Sequence, residues 1–356
     1  MNKYIGLDID CKKTVGCVIE AGRGDRYVTI NSDIGSMSRF LRSEKRNGYR
    51  VEVVFEISGQ AGFIYDSLID YVDAIKVANP SKMTWIYRTA KKNDRIDARK
   101  MAVLLSIGEI PEVYMPSKEV RQWREMLLHR KKIVCKVVQV KNRIRATLKS
   151  QGYSKAANKG GWWKKANKLW MRRVCEASIG VSNLWHMHIC NLLDELELFE
   201  TQLKRVTGYL DCYLDRQPGG KLLMSIPGVG PRTSEAVLAY TDDVERFGNY
   251  KQYCSYFGLA PKLDESGNFR RIGHISKRGP SVVRWVLCES SWKVIRKSKG
   301  LREFYERVMA GQKGRKKIAI IAVARKLLSI MRAMMLTGEL FNEQLVNRVD
   351  ELLKTA

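Results

Sequence analysis

YIGLDID, residues 4–10, is a short apolar run that closes on an acid, Asp8. VVFEISG, residues 53–59, is a second such run and closes on Glu56. Strand and helix signals alternate around these two runs. Tyr4–Ile9, Thr14–Glu20 and Tyr27–Ile30 read as three strands joined by short polar turns. Ser36–Lys45 then reads as a helix, Val51–Ile57 as a strand, Ala61–Val72 as a helix and Ala74–Ala78 as a strand. Asp94–Ser106 reads as a further helix, with an apolar face of Ile96, Met101, Val103, Leu104 and Leu105. Three strands followed by helix–strand–helix–strand–helix predict a layered α/β domain over residues 1–112.

The acids of this region carry the chemistry. KKNDRIDARK, residues 91–100, places Asp94 and Asp97 three residues apart at the start of the predicted helix, hence on one helical face. Two strand-end carboxylates and two helix carboxylates can converge on divalent cations. Phosphate chemistry assisted by Mg²⁺ needs such a set, because the ion takes hard oxygen ligands and neutralises charge on the reacting phosphorus. Asp10 lies two residues from Asp8 and shares its face if the strand is regular, so it competes as a ligand.

The chain has 356 residues and a formal net charge of +27. That length allows two or three domains, and that charge points to a polyanionic partner, above all nucleic acid. The eight cysteines show no CxxC spacing and sit mostly in apolar runs, which fits reduced, buried thiols in a cytoplasmic protein. His186, His188 and Cys190 at i, i+2 and i+4 do not converge on one helical face, so they read as packing or surface residues rather than a zinc site. The longest aliphatic run, Ile318 to Ala324, is too short to span a bilayer, so no membrane partner is expected. The N-terminus reads as a strand rather than a signal peptide.

Residues 117–150 read as one long helix with a stripe of Met126, Ile133, Val137, Val140, Ile144 and Leu148. Residues 121–175 hold 17 Lys or Arg and one acid, Glu125, with Trp162, Trp163 and Trp170 interleaved. Basic side chains neutralise phosphates and aromatic rings stack on unpaired bases, so this segment reads as a nucleic-acid contact rather than a merely solvated face. Lys141, Arg143, Arg145 and Lys149 are its candidate contacts. Trp185, Ile189, Leu192, Leu196, Phe199, Leu203, Val206 and Leu210 follow spacings of four and three, a heptad pattern that predicts a coiled coil. Its partner is either the basic helix of the same chain or a second copy.

From Lys221 onward, LLMSIPGVGPRTSEAVLAY reads as helix, Gly-rich turn, helix. Gly228 and Gly230 permit close backbone approach, and the following helix start offers N–H groups to a phosphate. This is the helix–hairpin–helix pattern of sequence-independent DNA contact, against the plain alternative of a tight turn. No GxxxxGK[ST] is present, which excludes a P-loop NTPase.

YIGLDID, VVFEISG, VANPSK (77–82) and KKNDRIDARKMA resemble, in order, the N-terminal motifs of the DEDD transposases and recombinases of bacterial insertion sequences. That family includes relatives of the Piv invertase and bridge-RNA-guided recombinases. KNRIRATLKSQGY (141–153) resembles its basic helix, and SIPGVGPRTSEAVLAY, FGNYKQYCSYFGLAP and DESGNFRRIGHISKRGPSVVRWVLCESSW resemble its C-terminal domain. The poorest match, about 152–190, reads as an insertion.

The resemblance implies α/β plus α architecture: a RuvC-like domain of RNase H fold at 1–112, a basic helical and coiled-coil region at 113–215, and a mainly α-helical transposase domain at 216–356. It implies Mg²⁺ held by Asp8, Glu56, Asp94 and Asp97, and a serine nucleophile at Ser266. Ser276, in ISKRG, is the local rival. Arg270, Arg271, Lys277 and Arg278 flank the serine and can hold phosphate oxygens. From composition alone, Asp264-Glu265-Ser266-Gly267 is an ordinary turn. The implied partners are donor and target double-stranded DNA, a structured guide RNA and further copies of the chain, as a dimer or tetramer. Acids and serine lie more than 150 residues apart, so the site forms within one chain or between two. The competing readings are a Piv-like invertase without RNA, a RuvC-type nuclease using water, and a non-catalytic nucleic-acid-binding protein.

Overall fold

The first three strands form an antiparallel meander, continuously buried through the middle of the first two and half-exposed along the third. In the computed structural model, β1 (Asn2–Ile9), β2 (Lys13–Glu20) and β3 (Arg26–Asn31) pair antiparallel. The structure describes residues 1–83, 93–176, 184–266 and 269–354. The chain divides into two units, Met1–Glu119 and Val120–Ala356.

In the first unit, Asp33 starts helix α1 (Ile34–Lys45) by accepting a hydrogen bond from the Ser36 N–H. The chain returns as β4 (Arg50–Glu56), which lies parallel to β1, then as α2 (Ala61–Leu68) and β5 (Ala74–Ala78), parallel to β4. The sheet order is β3-β2-β1-β4-β5. Ile5, Leu7, Val53 and Phe55 face α1 and α2 through Phe40, Leu41, Ile64 and Leu68. Val54 on the other face meets Met101, Leu104 and Leu105 of α3 (Asp94–Ser106). The sheet is therefore covered on both faces, and its central strands are apolar on both. Several strand and helix boundaries move by one or two residues from the sequence reading. The helix after β4 ends at Leu68 and tightens into a 3₁₀ turn, Ile69–Tyr71, and β4 ends at Glu56 rather than Ile57.

The second unit begins with a helical hairpin. α4 (Lys118–Ser150) and α6 (Leu184–Asp215) run antiparallel, with α5 (Lys165–Glu176) packed on α6. The direction follows from the contacts: Trp123 meets Tyr213, and Lys141 meets Glu200 further along. The heptad residues Ile189, Leu192, Leu196, Val206 and Leu210 bury against Ile133, Val137, Val140 and Ile144 of the same chain. Of the two partners left open by the sequence, the same-chain basic helix is the one found. The stripe of α4 is also corrected. Met126 is 36% exposed, and Leu127 and Arg130 take the core positions instead.

The rest of the unit is α7 (Pro218–Met224), α8 (Pro231–Thr241), α9 (Tyr250–Tyr256), a two-stranded ribbon of β6 (Pro261–Ser266) and β7 (Phe269–Ile275), α10 (Ser281–Val294), α11 (Lys299–Met309), α12 (Lys316–Thr337) and α13 (Glu343–Lys354). Aliphatic α12 is the axis of this core, with Leu327, Leu328, Ile330 and Met331 wholly buried. No helix among the described residues is long and apolar enough to cross a membrane.

Candidate active site

The register of the sheet brings two of the four acids together. Leu7 lies opposite Phe55 in the parallel β1–β4 pair, so the next residues, Asp8 one short of the end of β1 and Glu56 at the end of β4, follow side by side on adjacent strands. Both alternate away from the Leu7 and Phe55 face, toward the side that α3 covers. Ligand sites in α/β sheets lie outside the carboxyl ends of the strands, where the order reverses. β1 and β4 flank that reversal here, since β1 leads to β2 on one side and β4 lies on the other.

Gly6 seats the helix that carries the other two acids. A Cβ at Gly6 would lie 2.1 Å from the Ala98 carbonyl oxygen and 2.7 Å from the Ala102 nitrogen. Only glycine lets α3 rest on β1 at this point. Ala98 is one turn past Asp94, so the contact sets the first turn of α3, with Asp94 and Asp97, beside the Asp8 end of β1. Asn93 caps that turn, its side chain accepting from the Arg95 N–H at 3.0 Å. The N-terminal end of the helix dipole also favours the two carboxylates.

One group at this edge escaped the sequence reading. The Lys13 ammonium, at the start of β2, lies 2.9 Å from Asp94 Oδ2. Its pKa is raised, first by the hydrogen bond with Asp94, then by the Asp94 charge, with smaller contributions from Asp10 and Asp8. Lys13 thus senses three carboxylates of the motif region at once. Asp10 itself lies beyond β1, exposed in the turn, its N–H donating to the Lys13 carbonyl. The regular alternation that made it a rival of Asp8 stops at Ile9. At the same end of β5, Asn79 Oδ1 accepts from the Ser81 N–H and hydroxyl, forming the turn of the VANPSK motif.

By donor chemistry this set fits a divalent cation, since it offers only hard carboxylate oxygens. Among the described residues, no three ligating groups are drawn together closely enough to hold an ion. Lys13 already compensates Asp94, so an ion at the first turn of α3 would replace that ammonium.

Ser266 lies in the second unit. It is the last residue of β6 and pairs with Phe269 of β7. Asp264, Glu265 and Ser266 are strand residues rather than the turn their composition suggests. The side chains of Ser266, Arg270 and Arg271 lie outside the described residues. Lys277 and Arg278 are exposed where β7 leads into α10, and Lys277 adopts φ +55°. Ser276 donates its N–H to the Ala260 carbonyl at 2.8 Å, and its hydroxyl is enclosed.

The predicted nucleic-acid contacts fall into two groups. Lys141 pairs with Glu200 and Arg143 with Glu195, both of which help to close the hairpin. Arg145 and Lys149 are exposed. Trp162, Trp163 and Trp170 are half-buried against the hairpin core rather than presented for base stacking, and Trp162 and Tyr153 both pack on Trp170. Gly228, at φ +104°, approaches α10 so closely that a Cβ would meet the Val294 nitrogen at 2.8 Å. Its need for glycine is thus explained by protein packing. Gly230 is the residue before α8, in open space. Of the eight free thiols, Cys17, Cys175 and Cys254 are buried while Cys11, Cys135 and Cys212 are exposed, so burial is less general than the sequence suggested.

Comparison with known proteins places these features in a class. Residues 5–152 match a transposase family model, the DEDD transposases of the IS110 type, and residues 220–306 match the transposase IS116/IS110/IS902 family. A transposase for insertion sequence element IS1111A from Coxiella burnetii is 24% identical across 81% of this chain and 79% of its own length. A probable family 20 transposase from Pseudomonas aeruginosa is 28% identical, but the match spans only 39% of that protein and 37% of this one. A pilin gene-inverting protein from Moraxella bovis is 30% identical over 38% of the chain and 42% of that protein. This is the company of transposases and recombinases, which supports an enzyme acting on DNA. Over these two stretches the chain is similar to the DEDD transposases of insertion sequences.

Proposed function

We propose that this chain cuts and rejoins DNA as the transposase of an insertion sequence. On this reading residues 1–112 form a RuvC-like domain of RNase H fold, which the sheet order β3-β2-β1-β4-β5 supports. Residues 113–215 and 216–356 are its helical and transposase domains. The observation that carries the reading is the placement of Asp8 beside Glu56 at the reversal of that sheet, with the first turn of α3 next to them.

Asp8, Glu56, Asp94 and Asp97 would hold Mg²⁺. When bound, the ion polarises the scissile phosphate and stabilises charge on the departing oxygen. The chain's own residues do the rest. Ser266 attacks phosphorus, the bond to one strand end breaks, and the serine proton ends on the departing strand's oxygen. The phosphodiester energy is kept in the serine ester, so no ATP is required. A hydroxyl of the incoming strand then attacks the same phosphorus and restores the serine. Arg270, Arg271, Lys277 and Arg278 hold phosphate oxygens, and Gly228 and Gly230 belong to a turn that meets the DNA backbone. The partners are two DNA duplexes, a bridge RNA and further copies of the chain. Direct inversion without RNA is the second reading, favoured by the likeness to a pilin gene-inverting protein. Sequencing RNA that copurifies with the full chain separates the two.

The test is a duplex nicked near the crossover, which traps the covalent step. The wild-type chain is expected to become linked to DNA at Ser266 only when divalent metal is present. Ser266→Ala should lose both adduct and exchange. Asp8→Asn, Glu56→Gln, Asp94→Asn and Asp97→Asn should lose exchange while keeping DNA binding, which rests on distributed Lys and Arg contacts. Linkage at Ser276, or clean hydrolysis by Ser266→Ala, would sink the serine mechanism.

A further inference from the structure

A cavity of about 490 Å³ opens at the root of the β6–β7 ribbon, bounded by α9, α11 and α12. Its walls are mainly apolar, with the rings of Tyr250 and Phe304 and the side chains of Ala322 and Pro261. Three cations join them. Lys251 is exposed, Arg325 is half-buried, and Lys326 is 1% exposed. The Lys326 ammonium stands 4.5 Å from the centre of the Phe304 ring. None of these residues belongs to the acidic set or to the arginines beside Ser266.

The lining thus combines two aromatic rings with cationic side chains. Aromatic faces with adjacent Lys and Arg are the chemistry that receives an unpaired nucleotide, the ring taking the base and the cations its phosphate. Enzymes that do chemistry on a base take that nucleotide out of the stack into a pocket of this kind. The cavity volume lies in the range of small-ligand sites, which starts at about 300 Å³. Its position matters as well. Pro261 lines the cavity and begins the strand that Ser266 ends. Five residues of antiparallel strand span about 17 Å, and B-DNA rises about 3.4 Å per base pair, so the two points are about five base steps apart.

We infer that this cavity receives an unpaired nucleotide of the DNA strand being exchanged, a few steps from the scissile phosphate. The inference rests on the recombinase reading above and extends it. Holding one base out of the stack would keep the cut duplex open beside the serine and favour pairing with the new partner strand.

The probe is 5-iodouracil, placed one position at a time within about ten steps on either side of the crossover, with the full chain and any RNA that copurifies. Irradiation should cross-link one position to Tyr250 or Phe304, read by peptide mass spectrometry. Ser255→Trp, at an exposed rim position lining the cavity, should reduce that cross-link at least about tenfold and leave affinity for intact duplex within about twofold. Phe304→Leu, which keeps apolar volume and loses the ring, should slow exchange about tenfold. Strand exchange with no cross-link to either ring, or a cross-link indifferent to Ser255→Trp, overturns the inference and leaves the recombinase reading standing. Absence of both exchange and covalent adduct in the wild-type chain overturns that reading, and this one with it.

Discussion

Gly6 is the residue on which the acidic edge depends. It has an ordinary strand conformation, so its role is space rather than backbone freedom. Any side chain there runs into the Ala98 carbonyl and the Ala102 nitrogen, both held by α3. Gly6→Ala must push α3 off the sheet, and overpacking of this kind costs about 1–3 kcal/mol. Asp94 and Asp97 would move with the helix. The expected outcome is a lower urea midpoint with a nearly complete loss of strand exchange. Retained exchange at wild-type stability would show that the first turn of α3 has no role in the chemistry. The sequence displayed Gly6 inside YIGLDID but not its use, because the partner atoms lie some 92 residues away on an element whose docking is a tertiary event. Lys13 was missed for the same reason. Nothing local distinguishes it from the other surface lysines, and only the fold brings it to Asp94.

At the scale of elements, α4 is held to the C-terminal core by polar latches as well as apolar ones. Arg130 pairs with Glu235 of α8, which is fully buried and also meets Arg232. Arg124 donates to the Ala239 carbonyl at 2.7 Å, near the end of the same helix. An arginine at a core position breaks the apolar stripe of α4, which is why the sequence pattern selected Met126 in place of Leu127. Removing one partner of a buried pair strands the other, at a cost of about 3–5 kcal/mol, whereas an apolar pair of similar volume is often neutral. Glu235→Gln is therefore expected to lower unfolding stability by about 3 kcal/mol, and Arg130→Met with Glu235→Leu to recover most of it. A double variant no better than the single one would mean that the pair specifies the docking instead of merely tolerating burial. The heptad seam gives a second test. Leu196 is 1% exposed within its own chain's hairpin, so Leu196→Ala should cost about 2–5 kcal/mol without changing the mass measured by light scattering. A drop to a smaller particle would reassign the seam to an interface between copies.

For the molecule as a whole, the sequence displayed its class and little of its assembly. Strands, acids and motif order were readable because each is a local pattern: an apolar run, an acid at its end, a turn. The pairing of β1 with β4 was not, since parallel strands meet only through a crossover and nothing local sets their register. The net charge of +27 was plain, but its division between internal pairing and outward display was not. The basic segment of α4 and α5 seemed uniform, yet Glu200 takes both Lys141 and Lys168, and Arg172 pairs with Asp194. Charge engaged in this way is partly compensated before any DNA arrives, whereas Arg145 and Lys149 stand exposed on the same helix. Each phosphate neutralised releases a condensed counterion, so the slope of log affinity against log salt falls by about 0.9 for every duplex phosphate contact removed. Arg145→Gln with Lys149→Gln should flatten the slope by about 1.8 if both touch duplex phosphates. Lys141→Gln with Arg143→Gln should flatten it less and lower thermal stability, because these two side chains also close the hairpin onto Glu200 and Glu195. The comparison needs only binding isotherms at several salt concentrations and one melting curve per variant. Equal slopes for wild type and the Arg145, Lys149 variant would make this face of α4 a solvated surface and move the DNA path elsewhere on the molecule.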